Sequence, residues 1–173
     1  MPTKFKSSYE AISDSSSIAK GEKNDCVVRA VMNSFDVNYD RAHKWCEKRL
    51  HRAPRKGVFG TVEQLAEHCR NKTTFNGKAI KSILLGPKEI DYKKYHPKKF
   101  KKAKPLINSD YTHKPVAYTV RTFSECFTKG TYLALVKGHA LTIKDGIVFD
   151  NPYYQTKGFR RPLRAVFKIE ETS

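Results

Sequence analysis

Acidic side chains are scarce in this 173-residue chain: 17 Asp and Glu stand against 34 Lys and Arg, a formal net charge of +17. Such an excess disfavours cationic partners. It predicts attraction to nucleic acid, to an anionic surface or to an acidic protein or peptide. It is silent about fold. Long apolar runs are also missing. No window reaches the ~18 apolar residues of a membrane span, so no spanning helix is expected. The first residues, Met1-Pro2-Thr3-Lys4-Phe5-Lys6-Ser7-Ser8, lack the apolar stretch of a secretory signal. Only four cysteines occur. Without a signal they are expected as free thiols in a reducing compartment, which points to the cytoplasm. There is no P-loop, no dinucleotide fingerprint and no internal repeat, and nothing calls for a cofactor.

What is present suffices for one domain. Hydrophobic residues make up 39% of the chain, enough for a single core. Residues 1–20 are polar and serine-rich and read as a loosely ordered arm, with Ile12 and Ile18 as tacking points. The domain proper is expected over 21–173. Its first helix starts near Cys26, capped by Asn24 or Asp25. Asp25, Arg29 and Asn33 form one polar stripe. Val27, Val28, Ala30, Val31, Met32 and Phe35 cover the remaining circumference, as in a central helix. A second helix runs from Asp40 to about Arg52. A third opens on the capping box Thr61-Val62-Glu63-Gln64.

Residues 71–90 show no clear period. Residues 91–115 show no period, carry charge that is nearly all positive and read as an exposed basic insertion. Beyond it, Val116–Val120 is strand-like, and Thr122-Phe123-Ser124-Glu125 is a second capping box for a short helix. Thr131–Val136, Ala140–Lys144, Ile147–Asp150 and Arg164–Ile169 are β-rich, with Asp145-Gly146 as a hairpin turn. The order predicts an α+β domain, with N-terminal helices packed on a C-terminal antiparallel sheet.

The chemistry concentrates in three residues. Cys26 lies in the first turn of its helix, where free N–H groups stabilise a thiolate and can donate to an oxyanion. Most cysteines are merely small buried hydrophobes, so the thiol alone decides nothing. His139 adds weight, because it interrupts an apolar strand pattern after Gly138. If Asp145 and Gly146 form a two-residue loop, Ile143 pairs with Val148 and Leu141 faces Asp150. His139 shares a face with Leu141 because strands alternate with period two. Asp150 then becomes its diagonal neighbour, ~7–8 Å away at Cα and within reach of an imidazole. Asn151 points the other way unless the register slips by one. Cys26 is thus the candidate nucleophile, His139 the base and Asp150 the orienting group, with Asn151 in reserve.

The segments Asn24-Asp25-Cys26-Val27-Val28-Arg29-Ala30 and Gly138-His139-Ala140-Leu141-Thr142-Ile143, with Asp150 beyond, resemble the papain-like cysteine peptidase superfamily. Within it they look most like the bacteriocin-processing, C39-like peptidases and small phage-encoded proteins of that type. The resemblance implies a thiol hydrolase with a cleft between the Cys26 helix and the sheet. Its substrate would be a peptide or isopeptide bond, and the protein would be phage-encoded. The family's glutamine, about six residues before the cysteine, is replaced here by Lys20, and Asn24 is the nearest upstream amide for an oxyanion. That departure keeps open a non-catalytic, basic nucleic-acid-binding protein on the same scaffold.

The strongest basic candidates are Lys93, Lys94, Lys98, Lys99, Lys101, Lys102 and Lys104, interleaved with Tyr92, Tyr95 and Phe100. They suit a nucleic-acid backbone or an acidic protein, and equally a solvated loop. Arg160, Arg161 and Arg164 extend that surface, and Tyr153, Tyr154 and Phe159 are candidates to wall the cleft. His43 and Cys46 fall at i, i+3 but lack a second ligand pair, so no metal is expected.

Overall fold

The computed structural model describes residues 3–9, 16–85, 118–155 and 157–172. The basic insertion and all seven of its candidate lysines lie outside these residues.

The chain forms seven strands: β1 (Lys4–Ser7), β2 (Thr74–Phe75), β3 (Lys78–Leu85), β4 (Thr131–Val136), β5 (His139–Lys144), β6 (Ile147–Asp150) and β7 (Ala165–Glu171). They build one sheet in the order β1-β6-β5-β4-β7-β3-β2. The helices are α1 (Ser17–Gly21), α2 (Cys26–Phe35), α3 (Tyr39–Arg49), α4 (Thr61–Arg70) and α5 (Val120–Cys126). The α+β expectation holds, with one correction. The sheet is mixed rather than antiparallel, because β1 pairs with β6 in parallel. It also draws three of its strands from before the insertion.

Strand alternation divides the core into two layers. Leu133 and Leu135 of β4, Ala140 of β5 and Phe167 of β7 pack under α2, α3 and α4. Tyr132, Ala134 and Val136, with Leu141, Ile143 and Val148, face the other side, where Val120 and Phe123 of α5 cover them. Leu133 is fully buried. Its truncation to Ala would cost about 2–5 kcal/mol, the range for an unrelaxed core cavity.

The expected stripe on α2 is real: Val28 and Val31 are fully buried, while Arg29 and Asn33 continue the polar line from Asp25. A polar bolt fixes α2 on β5. The Thr142 hydroxyl donates to the Ala30 carbonyl at 2.8 Å, and Ser34 Oγ lies 3.0 Å from Thr142 Oγ1. Sliding α2 along the sheet would leave those buried groups unpaired. The bolt therefore sets where Cys26 sits relative to the start of β5.

Several boundaries differ from the sequence reading. Residues 4–7 are not loose arm but an edge strand, continued by the Ser8 N–H donating to the Asp150 carbonyl at 2.9 Å. Helix α3 begins at Tyr39, because the Asn38 side chain accepts from the Arg41 N–H. Helix α4 begins at Thr61 as expected, but its cap is Gly60 in the left-handed region (φ 61°), with no capping side chain. The later capping box lies three residues earlier than read: Thr119 caps α5 and Thr122 answers it, so Val120 is helical. Residues 74–85, which carry no clear period, form the β2–β3 hairpin around Asn76-Gly77 (φ 53° and 69°).

Candidate functional site

Two tight turns deliver the histidine and the carboxylate. Lys137-Gly138, with Gly138 at φ 69°, reverses the chain so that His139 opens β5 opposite Val136. Asp145-Gly146, both with positive φ, closes the next hairpin in the expected register, Ile143 opposite Val148. The result is the expected diagonal pair: His139 Nε2 and Asp150 Oδ1 are 2.6 Å apart, with side chains only 8% and 7% exposed. Asp150 Oδ1 also accepts the Asn151 N–H at 2.7 Å, which fixes the carboxylate. Tyr154 packs on the imidazole, ring centroids 4.4 Å apart, so one of the three expected cleft aromatics does touch the site.

Cys26 is the first residue of α2, and no side chain caps that helix. The Asp25 carboxylate turns away from the N-terminus. It takes Arg29 Nε at 2.9 Å and the Tyr39 hydroxyl at 2.7 Å. The first-turn N–H groups, that of Cys26 included, have no acceptor among the described residues. They point their partial positive charge at whatever lies before the helix.

The thiol and the imidazole line one small cavity of about 10 Å³, together with Ser8, Tyr9, Asp150 and Asn151. Burial pulls the His139 pKa down. The hydrogen bond that His139 donates to Asp150 and the interaction with Cys26 outweigh it, and the value is pushed up from 6.5 to about 9. Because Nε2 is engaged by Asp150, Nδ1 is the nitrogen left for the thiol.

No protein-family model, curated protein or solved structure matches this chain. The site therefore stands on its own geometry.

Of the sequence candidates, Cys26, His139 and Asp150 are brought together. The side-chain amides of Asn24 and Asn151 both have other partners. The Asn24 amide donates to the Arg55 carbonyl at 3.1 Å. The Asn151 amide donates to the Tyr9 hydroxyl at 3.1 Å, and its carbonyl oxygen accepts the Tyr153 N–H to start a short 3-10 turn. Arg161 donates to the Lys137 carbonyl at 2.6 Å and lies over Tyr154, propping the turn before His139. Among the described residues, no three His, Cys, Asp or Glu converge as metal ligands.

The sequence reading missed Tyr9. Arg29 holds it in place: one Arg29 nitrogen donates to the Ser8 carbonyl at 2.8 Å, and the guanidinium lies 3.6 Å from the Tyr9 ring centre. Tyr9 and Arg29 also border a larger groove of about 610 Å³, lined further by Lys20, Lys23 and Asn24. Tyr9 is thus the partition between the thiol cavity and the open groove. The signal for it was the short alternation Lys4-Phe5-Lys6-Ser7, too brief to separate from a polar tail.

Proposed function

We propose that this chain is a papain-like thiol hydrolase that cleaves a peptide or isopeptide bond. The observation that carries the reading is the 2.6 Å His139–Asp150 pair, facing a thiol at an uncapped helix N-terminus within one cavity. An imidazolium and a helix N-terminus both favour the thiolate over the thiol. Asp150 keeps the ring oriented and supports its charge, the role a buried carboxylate plays in such sites.

Cys26 Sγ attacks the substrate carbonyl carbon, forming the S–C bond. The carbonyl electron pair moves onto oxygen, where the first-turn N–H groups of α2 receive the negative charge. As the tetrahedral species collapses, the C–N bond breaks and His139 gives its proton to the departing amine. Water then attacks the thioester, His139 takes its proton, and the acid leaves as the thiolate returns. The 10 Å³ cavity holds no peptide, so the substrate chain runs in the adjoining 610 Å³ groove and its carbonyl enters past Tyr9. Lys20 and Lys23 line that groove, and its two carboxylates, Glu22 and Asp25, are paired with Arg52 and Arg29, so together with the overall charge of +17 the groove favours an acidic peptide or protein.

Acidic peptide libraries incubated with the wild type and with Cys26→Ala test this, with new termini read by mass spectrometry. Cleavage by the wild type and none by the variant is expected. Cleavage that persists in Cys26→Ala would remove the thiol from the mechanism.

A further inference from the structure

Sharing no lining residue with the thiol cavity, helix α3 presents Arg41, Lys44, Lys48 and Arg49 to solvent around a groove of about 310 Å³. Trp45 forms its floor, and Thr74 and Phe75 of β2 form the opposite wall. No acid lines it. Elsewhere among the described residues several carboxylates are matched to cations: Asp36 to Lys78 and Lys144, Glu22 to Arg52, Glu125 to Arg121, Glu170 to Lys168. Among the described residues, none of the four groove cations has a carboxylate partner. The two acids of α3 lie outside the lining, and one of them, Asp40, accepts the Ser16 hydroxyl.

Spacing decides what such a surface fits. The cations recur at i, i+3, i+7 and i+8, so they share one helix face and span ~12 Å at ~1.5 Å per residue. That length can accommodate a few consecutive phosphates of one strand. The aromatic wall adds a second feature. Arg41 lies over Phe75 at 5.5 Å, and Phe75 stacks on Trp45 at 5.4 Å with 11° between the planes. Arg41 is itself exposed, so its guanidinium sets a planar cation beside this aromatic pair where a further planar group can reach it. A base on Arg41, with its phosphates on Lys44, Lys48 and Arg49, uses every feature of the groove. An acidic peptide uses the charges and leaves the stack idle. We infer that the α3 groove binds single-stranded nucleic acid through its phosphates and one stacked base. This inference is independent of the thiol reading.

Trp45 is the only tryptophan, so its fluorescence reports from the groove floor. The full-length protein is titrated with a labelled oligothymidylate at low salt, following both probe anisotropy and Trp45 emission. Binding with a coincident change in Trp45 emission is expected. Lys44→Gln/Lys48→Gln should weaken binding at least ~10-fold and flatten the log–log salt slope by about 1.4, two phosphate contacts at ~0.7 each for a single strand. Lys56→Gln/Lys157→Gln removes the same charge from exposed sites elsewhere and should change affinity little. Equal weakening by both double variants would overturn the inference, since charge alone would then explain binding. So would the absence of binding at low salt. So too would a polyglutamate of matching charge, or anionic lipid vesicles, that bind as tightly and perturb Trp45 equally.

Discussion

The molecule holds two sets of a thiol, an imidazole and a carboxylate, and their arrangements differ. His139 meets Asp150 at 2.6 Å and lines one small cavity with Cys26. His43 meets Glu22 at 3.3 Å, and Cys46 lies one helical turn beyond it on α3. Three differences separate them. Glu22 is already engaged by Arg52 at 2.5 Å and by the Arg55 N–H at 3.1 Å, whereas Asp150 serves the histidine and one backbone N–H. Cys46 sits mid-helix and is fully buried, and burial pushes its thiol pKa up to about 12. Cys26 sits at a helix N-terminus beside a cavity. A thiol, an imidazole and a carboxylate thus make a site only when the helix end, the strand register and a route to solvent coincide. The second set is a structural tie that anchors the segment before α2.

Substitutions that strike one set and spare the other break this comparison open. The largest effect belongs to His139→Ala. It should lower Cys26-dependent hydrolysis by roughly 10²–10⁴-fold, the usual worth of a positioned acid–base group, while His43→Ala leaves the rate per folded molecule unchanged. Peptide turnover checks both. Glu22→Gln should do the reverse. Burial opposes the Glu22 charge, but Arg52, the Arg55 N–H and His43 together hold its carboxyl below the usual range. The Arg52 side chain is 1% exposed, so neutralising its partner should cost on the order of 3 kcal/mol in chemical denaturation, without changing Cys26 reactivity.

Asp150→Asn removes the main upward influence on His139. Its titration by NMR should fall from about 9 toward 6.5. The same shift sets a pH dependence of folding. A histidine with a raised folded pKa contributes stability that is complete below about 6.5 and is lost as pH rises through about 9. Melting temperature should therefore decline across that window in the wild type and decline less in His139→Gln. The smallest effect is Tyr9→Ala. Opening the partition should raise Cys26 alkylation a few-fold, and leave Cys46 protected.

The parts of the fold legible in the sequence are those with strong local signals. Asp145-Gly146 dictates a two-residue turn, and the turn dictates the register that pairs His139 with Asp150. The apolar wrap of α2 around Asp25, Arg29 and Asn33 likewise marks a central helix. The missed elements owe their form to distant partners. Strand β1 has four residues, two of them lysine, and Arg29 of α2 anchors the Ser8 carbonyl that follows it. Strand β2 has two residues, too few to show a period, although Asn76-Gly77 announced its turn. Asn24 was a site candidate as the nearest amide upstream of Cys26, and Asn151 as the orienting group should the β5–β6 register slip by one. Asn24 adopts a left-handed φ of 54° and donates to the Arg55 carbonyl, and with the register unslipped Asn151 caps a 3-10 turn.

The most direct test of the central claim is the alkylation rate of each cysteine by iodoacetamide from about pH 5 to about pH 9, in wild type and His139→Ala, read by peptide mass spectrometry. The account predicts fast modification of Cys26 that persists at low pH and slows sharply in the variant, with Cys46 inert in both until unfolding. A Cys26 rate that simply follows the titration of an ordinary thiol, and is indifferent to His139, would contradict it.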